Sequence, residues 1–335
     1  MQITHELTQL CAALSQATGT TIPTTQNLHF TKGKIFASNL ETSITANYPH
    51  DLDFAVDAKT FVEAIKAIPD GVVSIKDNRV IIKTKSGKFQ LAAYPTGEAP
   101  TPETPDGEPI TMTSTAFELA KAAAKYCSKD DLRPVMTGVY FGNNQVVSTD
   151  AYRLIVLDEP HPLHDIIIPA TAINFLNLWP SASSQVRISD KAIQVDTFEA
   201  SVHVRLVNGK YPPYQSVIPA AEPMLSVTIT DIPALINQVK RVMLFSSEST
   251  TGITLDFLTG TIQAENIDFG KSCTENYVFD APKEDLNITL NGKFFLQMLQ
   301  NIENSSVKLE FFDANRPVLA KFTTGLQLLM PISKS

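Results

Sequence analysis

The chain has 335 residues, 27 basic against 35 acidic for a formal net charge of -8, and is 43% hydrophobic but only 19% charged. That length implies two or three domains with real cores. The apolar content excludes intrinsic disorder, and no stretch approaches the ~20 apolar residues of a spanning helix. Met1 to Thr8 has neither a basic n-region nor an apolar h-region, so no signal peptide is expected. Cys11, Cys127 and Cys273 are widely spaced and form no CxxC pair. They point to a reducing compartment, the cytoplasm, and away from disulfides or zinc.

The first periodic segment is Leu7, Leu10, Cys11 and Leu14, the i, i+3, i+4, i+7 spacing of an amphipathic helix. A second helix is predicted from Asp57 to Ile68, stopped by Pro69. Val73 to Thr84 (VSIKDNRVIIKT) alternates on both sides of an Asp-containing turn and reads as a hairpin. Thr96 to Pro109 is a Pro/Gly/Glu-rich linker. Helical spacing returns at Leu119, Ala122, Ala123 and Tyr126, behind a Thr115–Glu118 capping box. A second short helix follows at Pro169 to Trp179, stopped by Pro180. The hairpin VRISDKAIQVDT then runs from Val186 to Thr197. After PAAEP (Pro219 to Pro223), Ile232, Leu235, Ile236 and Val239 repeat the helical spacing, with Pro233 in the first turn. Asn291 to Ile302 repeats the second helix, and VKLEFFDANRPVLAKF from Val307 repeats the hairpin with a longer turn.

The order helix, strands, helix, strands thus occurs three times. The predicted fold class is α+β, with three repeated domains at 1–107, 108–221 and 222–335, each two helices on a curved antiparallel sheet. Repeated sheets of this kind can close into a ring, which removes exposed edges. Two copies joined head to tail provide such closure. Lys59, Lys66, Lys121, Lys125, Lys240, Arg241 and Lys293 lie on the polar faces of the predicted helices. The acids concentrate in strands, turns and linkers, among them Glu98, Glu103, Asp106, Asp158, Glu159 and Asp165. A net-acidic chain can therefore gather bases on one surface and hold DNA phosphates without reading sequence. Ordinary solvated helix faces are the competing reading.

An enzyme is the first rival. His161-Pro-Leu-His164 with Asp158, Glu159 and Asp165 could suggest a metal cluster, but two histidines without a third ligand at productive spacing make a polar loop the better reading. No GxSxG, Walker A, GxGxxG or HExxH pattern occurs. Cys127 reads as a buried free thiol, and the sequons at Asn287 and Asn304 have no role in a cytoplasmic protein. No catalytic residue, metal or cofactor is assigned. The second rival is a β-rich scaffold that binds only protein.

Several segments resemble one family. They are TDAYRL (Thr149 to Leu154), GKYPPYQSVIP (Gly209 to Pro219), LLMPIS (Leu328 to Ser333), RPVMTGVYF (Arg133 to Phe141) and NLETSITA (Asn39 to Ala46). Together, in order and over the whole chain, they resemble the bacterial sliding clamps, the beta subunits of DNA polymerase III. The resemblance implies a ring-forming homodimer that encircles duplex DNA without sequence preference and has no enzymatic activity. It implies tethering of the replicative polymerase and clamp loader through short clamp-binding motifs. The family's peptide pocket, between the second and third domains, falls on Met136, Thr149, Tyr152, Arg153, Leu154, Pro212 and Val217. From the third domain it takes Asn291, Phe294, Leu328, Leu329, Met330, Pro331 and Ile332. An apolar cleft of this composition suits an extended peptide with Leu and Phe anchors, and Met adapts to varied guests. Leu329 and Met330 also read as a final core strand. By the same resemblance, Phe89 and Leu91 would meet Leu244 and Phe245 of a second copy, with intradomain core as the alternative. The chain departs from the family at Ala151-Tyr152, where Gly-His is usual, and at Ser216, where a basic residue is common.

Overall fold

A computed structural model describes residues 1–179, 183–302 and 305–332. The expected helix stop at Pro180, the sequon at Asn304 and the segment Ser333 to Ser335 lie outside the described residues. The first repeat contains α1 (His5–Ser15), β1 (Asn27–Thr31), β2 (Lys34–Ser38), β3 (Thr42–Asn47), β4 (Phe54–Asp57), α2 (Ala58–Ala67), β5 (Val72–Lys76), β6 (Arg79–Lys83) and β7 (Lys88–Ala92). The middle stretch contains β8 (Ile110–Thr113), α3 (Thr115–Ala124), β9 (Gly138–Gly142), β10 (Gln145–Thr149), β11 (Arg153–Asp158), β12 (Ile166–Pro169), α4 (Ala170–Leu176), β13 (Ser183–Ile188), β14 (Ala192–Asp196) and β15 (Ala200–Arg205). The last contains β16 (Leu225–Ile229), α5 (Ile232–Met243), β17 (Gly252–Asp256), β18 (Thr261–Asn266), β19 (Lys271–Asn276), β20 (Asn287–Asn291), α6 (Gly292–Gln300), β21 (Val307–Phe311), β22 (Val318–Phe322) and β23 (Gly325–Leu329). A helix, four strands, a second helix and three strands recur three times in sequence. The α+β class and the antiparallel pairing are as expected.

The chain divides into two compact units, Met1–Glu118 with Ile168–Asn208, and Leu119–Ile167 with Gly209–Ser335. In the first unit an eight-stranded sheet runs β4-β1-β2-β3-β15-β14-β13-β8, beside a three-stranded sheet β5-β6-β7. Its core includes Phe30 stacked on Phe54 at 4.6 Å, with Phe61 edge-on to Phe30 at 5.3 Å. Helix α1 begins where Thr4 accepts from the Leu7 N–H at 3.1 Å, and Leu7, Cys11 and Leu14 are fully buried. The β5–β6 hairpin turns at Asp77-Asn78, both with positive φ, the geometry that suits a tight turn between twisted strands. Its counterpart between β13 and β14 turns at Asp190-Lys191, where the Ser189 N–H donates to Ala192 O at 2.9 Å.

In the second unit the eight-stranded sheet runs β12-β9-β10-β11-β23-β22-β21-β16, beside a four-stranded sheet β19-β18-β17-β20. Helix α5 is capped by Asp231, which accepts from the Ala234 N–H at 2.8 Å. Ile232, Leu235, Val239 and Val242 of α5 enter one core with Phe295 and Leu299 of α6 and Leu329 of β23.

Two helix details differ from the sequence reading. The proposed Thr115–Glu118 box is one residue out of phase: Thr115 is already helical, and the Glu118 N–H donates to Ser114 O at 3.0 Å. Helix α4 stops at Leu176, short of Trp179. The Asn177 carboxamide donates to Ile173 O at 2.9 Å and caps the last turn before any proline is needed.

The β11–β23 pairing depends on Gly325. Its φ is +147, and a Cβ there would stand 2.0 Å from Val156 O of β11. Gly33, by contrast, has φ +77 and open space around its Cβ position. Gly325→Ala should therefore cost about 3 kcal/mol, and Gly33→Ala only about 1 kcal/mol, as read from urea unfolding of the two variants.

Candidate functional site

The site lies within the second unit, around the pairing of β11 with β23, where Arg153 opposes Leu329 and Leu154 opposes Leu328. The TDAYRL segment is the hairpin that starts β11. Thr149 Oγ1 accepts from the Ala151 N–H at 3.1 Å and donates to Arg153 O at 2.8 Å. Asp150 Oδ1 accepts from the N–H groups of Tyr152 and Arg153, each at 3.0 Å. Ala151 sits at φ +76, where glycine is free of strain and an L side chain is not. The departure from Gly-His thus places strain on the backbone at Ala151 as well as bulk at Tyr152, and only the bulk was foreseen.

Side chains alternate across a strand, so this pairing has two faces. Thr149, Leu154 and Leu328 share one face, because Thr149 opposes Leu154 and Leu154 opposes Leu328. Val156 and Leu326 continue that face. The Met330 N–H donates to Tyr152 O at 2.8 Å; it prolongs the ladder and puts Met330 in line with Leu328. Pro331 then bridges to Leu290, and the Ile332 N–H donates to Thr289 O at 2.7 Å. A cleft of about 230 Å³ opens at the Val156–Leu326 end of this face, lined also by Tyr214, Gln215 and Ile218 among others, while Leu154 and Leu328 themselves are buried. Val217 and Tyr152 are exposed, Met136 is half-buried on the Pro134–Met136 turn, and Pro212 lines a neighbouring cleft. Val156, Leu326, Tyr214 and Ile218 were missed from sequence, although the alternation of β11 and β23 carries the signal for the first two.

Arg153 and Leu329 belong to the opposite, helix-facing side. The Arg153 side chain is buried, and each arm of its guanidinium is taken up. Nε donates to Asp150 Oδ2 at 2.8 Å, Nη2 to Lys125 O at 2.7 Å, and Nη1 to Gln297 Oε1. Its Cζ stands 4.7 Å from the Tyr126 ring centroid and 4.3 Å from that of Phe294. Tyr126 in turn donates to Gln327 Oε1 of β23; burial raises the Tyr126 hydroxyl well above its usual range and keeps it a donor. Asn291 caps α6, its Oδ1 accepting from the Phe294 N–H and from Thr251 Oγ1, both at 3.1 Å. Arg153 therefore ties the end of α3 and the middle of α6 to the hairpin, and Asn291 fixes the start of α6. Neither the Arg153–Gln297 bond nor the Tyr126–Gln327 bond was foreseen; the trace of the second in sequence is the polar Gln327 within GLQLLM.

The remaining candidates lie elsewhere. Lys59, Lys66, Lys121, Lys125, Lys240, Arg241 and Lys293 are all exposed. Arg241 is held by Glu275 at 2.8 Å and Lys125 reaches Asn301 Oδ1 at 3.2 Å. Phe89, Leu244 and Phe245 are 46%, 72% and 38% exposed, and Leu91 is half-buried. His161 is buried against Phe141 with Nε2 3.0 Å from Gln145 O, while His164 is exposed. The three cysteines are free, and burial pushes the Cys127 thiol up to about 12.

Because Arg153 and Asp150 form a nearly dry pair, with side chains 8% and 12% exposed, removing one charge strands the other. Arg153→Ala should cost about 3–5 kcal/mol. Tyr152→Ala, on an exposed side chain, should stay within about 0.5 kcal/mol. Denaturant unfolding of both variants checks the contrast.

Residues 115–213 match the central domain of the DNA polymerase III beta subunit, and residues 215–328 match its C-terminal domain. A beta sliding clamp of Pseudomonas putida is 25% identical over 287 residues, covering 80% of this chain and 77% of the relative. One of Streptococcus pneumoniae is 24% identical over 302 residues, covering 83% and 79%. In fold, the crystal structure of the DNA polymerase III subunit beta of Pseudomonas aeruginosa superposes with a TM-score of 0.86 at 21% identity, covering 99% of each chain. The Thermotoga maritima beta subunit gives 0.86 at 20% identity, covering 100% of this chain and 99% of that one. The chain belongs to the bacterial sliding-clamp family, the beta subunits of DNA polymerase III, whose members are clamps and not enzymes.

Proposed function

We propose that the chain is a replicative processivity clamp: two copies close head to tail around duplex DNA, and each tethers polymerase and clamp loader through the β11–β23 face. The division into domains 1–107, 108–221 and 222–335 is part of this proposal, supported by the threefold recurrence of element order. The protein acts in the cytoplasm.

The observation that carries the reading is a pair of open sheet edges. Strand β7 is the edge of one small sheet and β19 the edge of the other. Unpaired edge strands invite pairing with another chain. Strands β5–β7 bring Lys76, Arg79, Lys83 and Lys88, while β18–β19 and the turn between them bring Glu265, Asp268 and the Arg241-paired Glu275 beside a single base, Lys271. Opposite charges of this kind set partner orientation. Phe89 and Leu91 on β7, with Leu244 and Phe245 after α5, supply the apolar contact. The exposed bases Lys59, Lys66, Lys121, Lys125, Lys240, Arg241 and Lys293 are the proposed DNA-facing set, making weak phosphate contacts that fade with salt.

The face bearing Leu154, Leu328, Met330, Pro331 and Ile332, with Met136, Thr149, Tyr152, Pro212 and Val217 around it, is the proposed peptide groove. Arg153, Leu329, Asn291 and Phe294 position it from behind.

In solution the protein should sediment near twice its 36.7 kDa chain mass. Leu244→Lys with Phe245→Lys should give monomers, since two unpaired charges would enter an apolar contact. Once loaded, the wild type should stay on circular DNA and slide off linear DNA. Equal loss from both would favour a protein-only scaffold. Met330→Ala with Pro331→Ala should reduce binding of a Gln-Leu-x-Leu-Phe peptide at least tenfold in a fluorescence-anisotropy titration, with the dimer mass unchanged.

A further inference from the structure

Beside the β11–β23 face, the second unit holds a larger cleft of about 560 Å³, within the size range of ligand sites. Its floor is three tyrosines. Tyr140 stacks on Tyr211 at 4.8 Å, and Tyr214 stands 6.2 Å from Tyr140 and 6.4 Å from Tyr211. All three are more than nine-tenths buried. The rim carries Asn143, Lys210, Gln215 and the exposed Asp165.

The phenols cannot serve as anions. Burial raises all three hydroxyls above their usual range, and Asp165 raises those of Tyr140 and Tyr214 further. Tyr140 donates to Asp165 Oδ1 at 2.5 Å, and Tyr214 donates to Gln145 Oε1 at 2.6 Å. The Tyr211 hydroxyl is buried beside the Thr149 backbone without a hydrogen bond of ordinary geometry. Asp165 is thus an exposed acidic side chain held through Oδ1 at the edge of an electron-rich aromatic wall.

A planar cation that both stacks on a ring and pairs with a carboxylate matches this arrangement. A guanidinium does both; an ammonium stacks less well and pairs only as a point charge. Pro212 lines this cleft and also flanks the proposed peptide groove, so an occupant of one lies next to an occupant of the other. We propose that the tyrosine-walled cleft receives the arginine side chain of a partner segment whose apolar anchors occupy the neighbouring groove. The arginine site follows from the cleft alone, whereas its link to a partner segment rests on the groove reading above.

The test uses the full chain labelled with fluorotyrosine and followed by fluorine NMR, with N-acetyl-arginine amide as the probe. The probe should shift the cleft tyrosines saturably, and N-acetyl-citrulline amide, equal in shape but neutral, should bind at least about fivefold more weakly. Asp165→Asn keeps an acceptor for Tyr140 and so keeps the fold, yet should remove that preference. Lys210→Gln, which takes a like charge off the rim, should tighten the arginine probe about twofold. Equal binding of the two probes, or a preference that survives Asp165→Asn, overturns the site. In a second arm, a Gln-Leu-x-Leu-Phe peptide is compared with versions extended by arginine or alanine at either end. A gain for one arginine version that disappears in Asp165→Asn supports the link, and no gain overturns it. Failure of the unextended peptide to bind overturns the groove reading and the link with it, while the amide arm still decides the arginine site.

Discussion

The second unit depends on one backbone ladder, β11 against β23. That ladder serves two purposes, because alternation sends one side chain toward the helices and the next toward the opposite face. Arg153 and Gln327 lock the sheet to the end of α3 and to α6 through buried polar contacts, with the buried Ile155 between them on the same face, while Leu154, Leu328 and Met330 form an apolar row on the other side. A shift of one residue would exchange the two sets, putting a guanidinium where leucine belongs. The register is held at one end by the Thr149–Arg153 turn and at the other by the close backbone approach at Gly325. The shape of the outer face is therefore a consequence of how its inner face is tied down.

Much of this was readable in the sequence, and what was readable had a local physical cause. Helix α5 was legible because Pro233 and the Ile232–Val239 spacing act within a few residues; its cap, Asp231, is just as local but was not singled out. The hairpins were legible because Asp77-Asn78 and Asp190-Lys191 are turn formers between alternating runs. The motifs TDAYRL and LLMPIS marked the two halves of the candidate site before any contact was known. What escaped depended on residues distant in sequence. Nothing near Arg153 announces that Gln297 and Lys125 will consume its donors, so it reads as a group free for a ligand. Nothing near Ala151 announces its left-handed backbone. The extent of α4 escaped because a side-chain amide at Asn177 ends the helix before a proline is needed.

The repeats share an order of elements but not a set of contacts. Strand β3 of the first stretch pairs with β15 of the second, and β11 of the second pairs with β23 of the third. Each compact unit is thus assembled from pieces of neighbouring repeats. In the small sheets β5–β7 and β17–β20, the outer strands β5 and β20 are bridged by Gln2 and Pro331, whereas among the described residues no strand pairs with the outer sides of β7 and β19, which have charge and exposed apolar side chains beside them.

The pairing of β11 with β23 also has a temporal side. Translation at about 5–20 residues per second separates the emergence of these strands by roughly 10–30 s. During that interval the nascent β10–β11 hairpin presents a bare row of amides and carbonyls, and Arg153 has no Gln297 to meet. Aggregation on the ribosome, or rescue by a chaperone, would be decided in that window, and a slower codon choice after β11 would widen it.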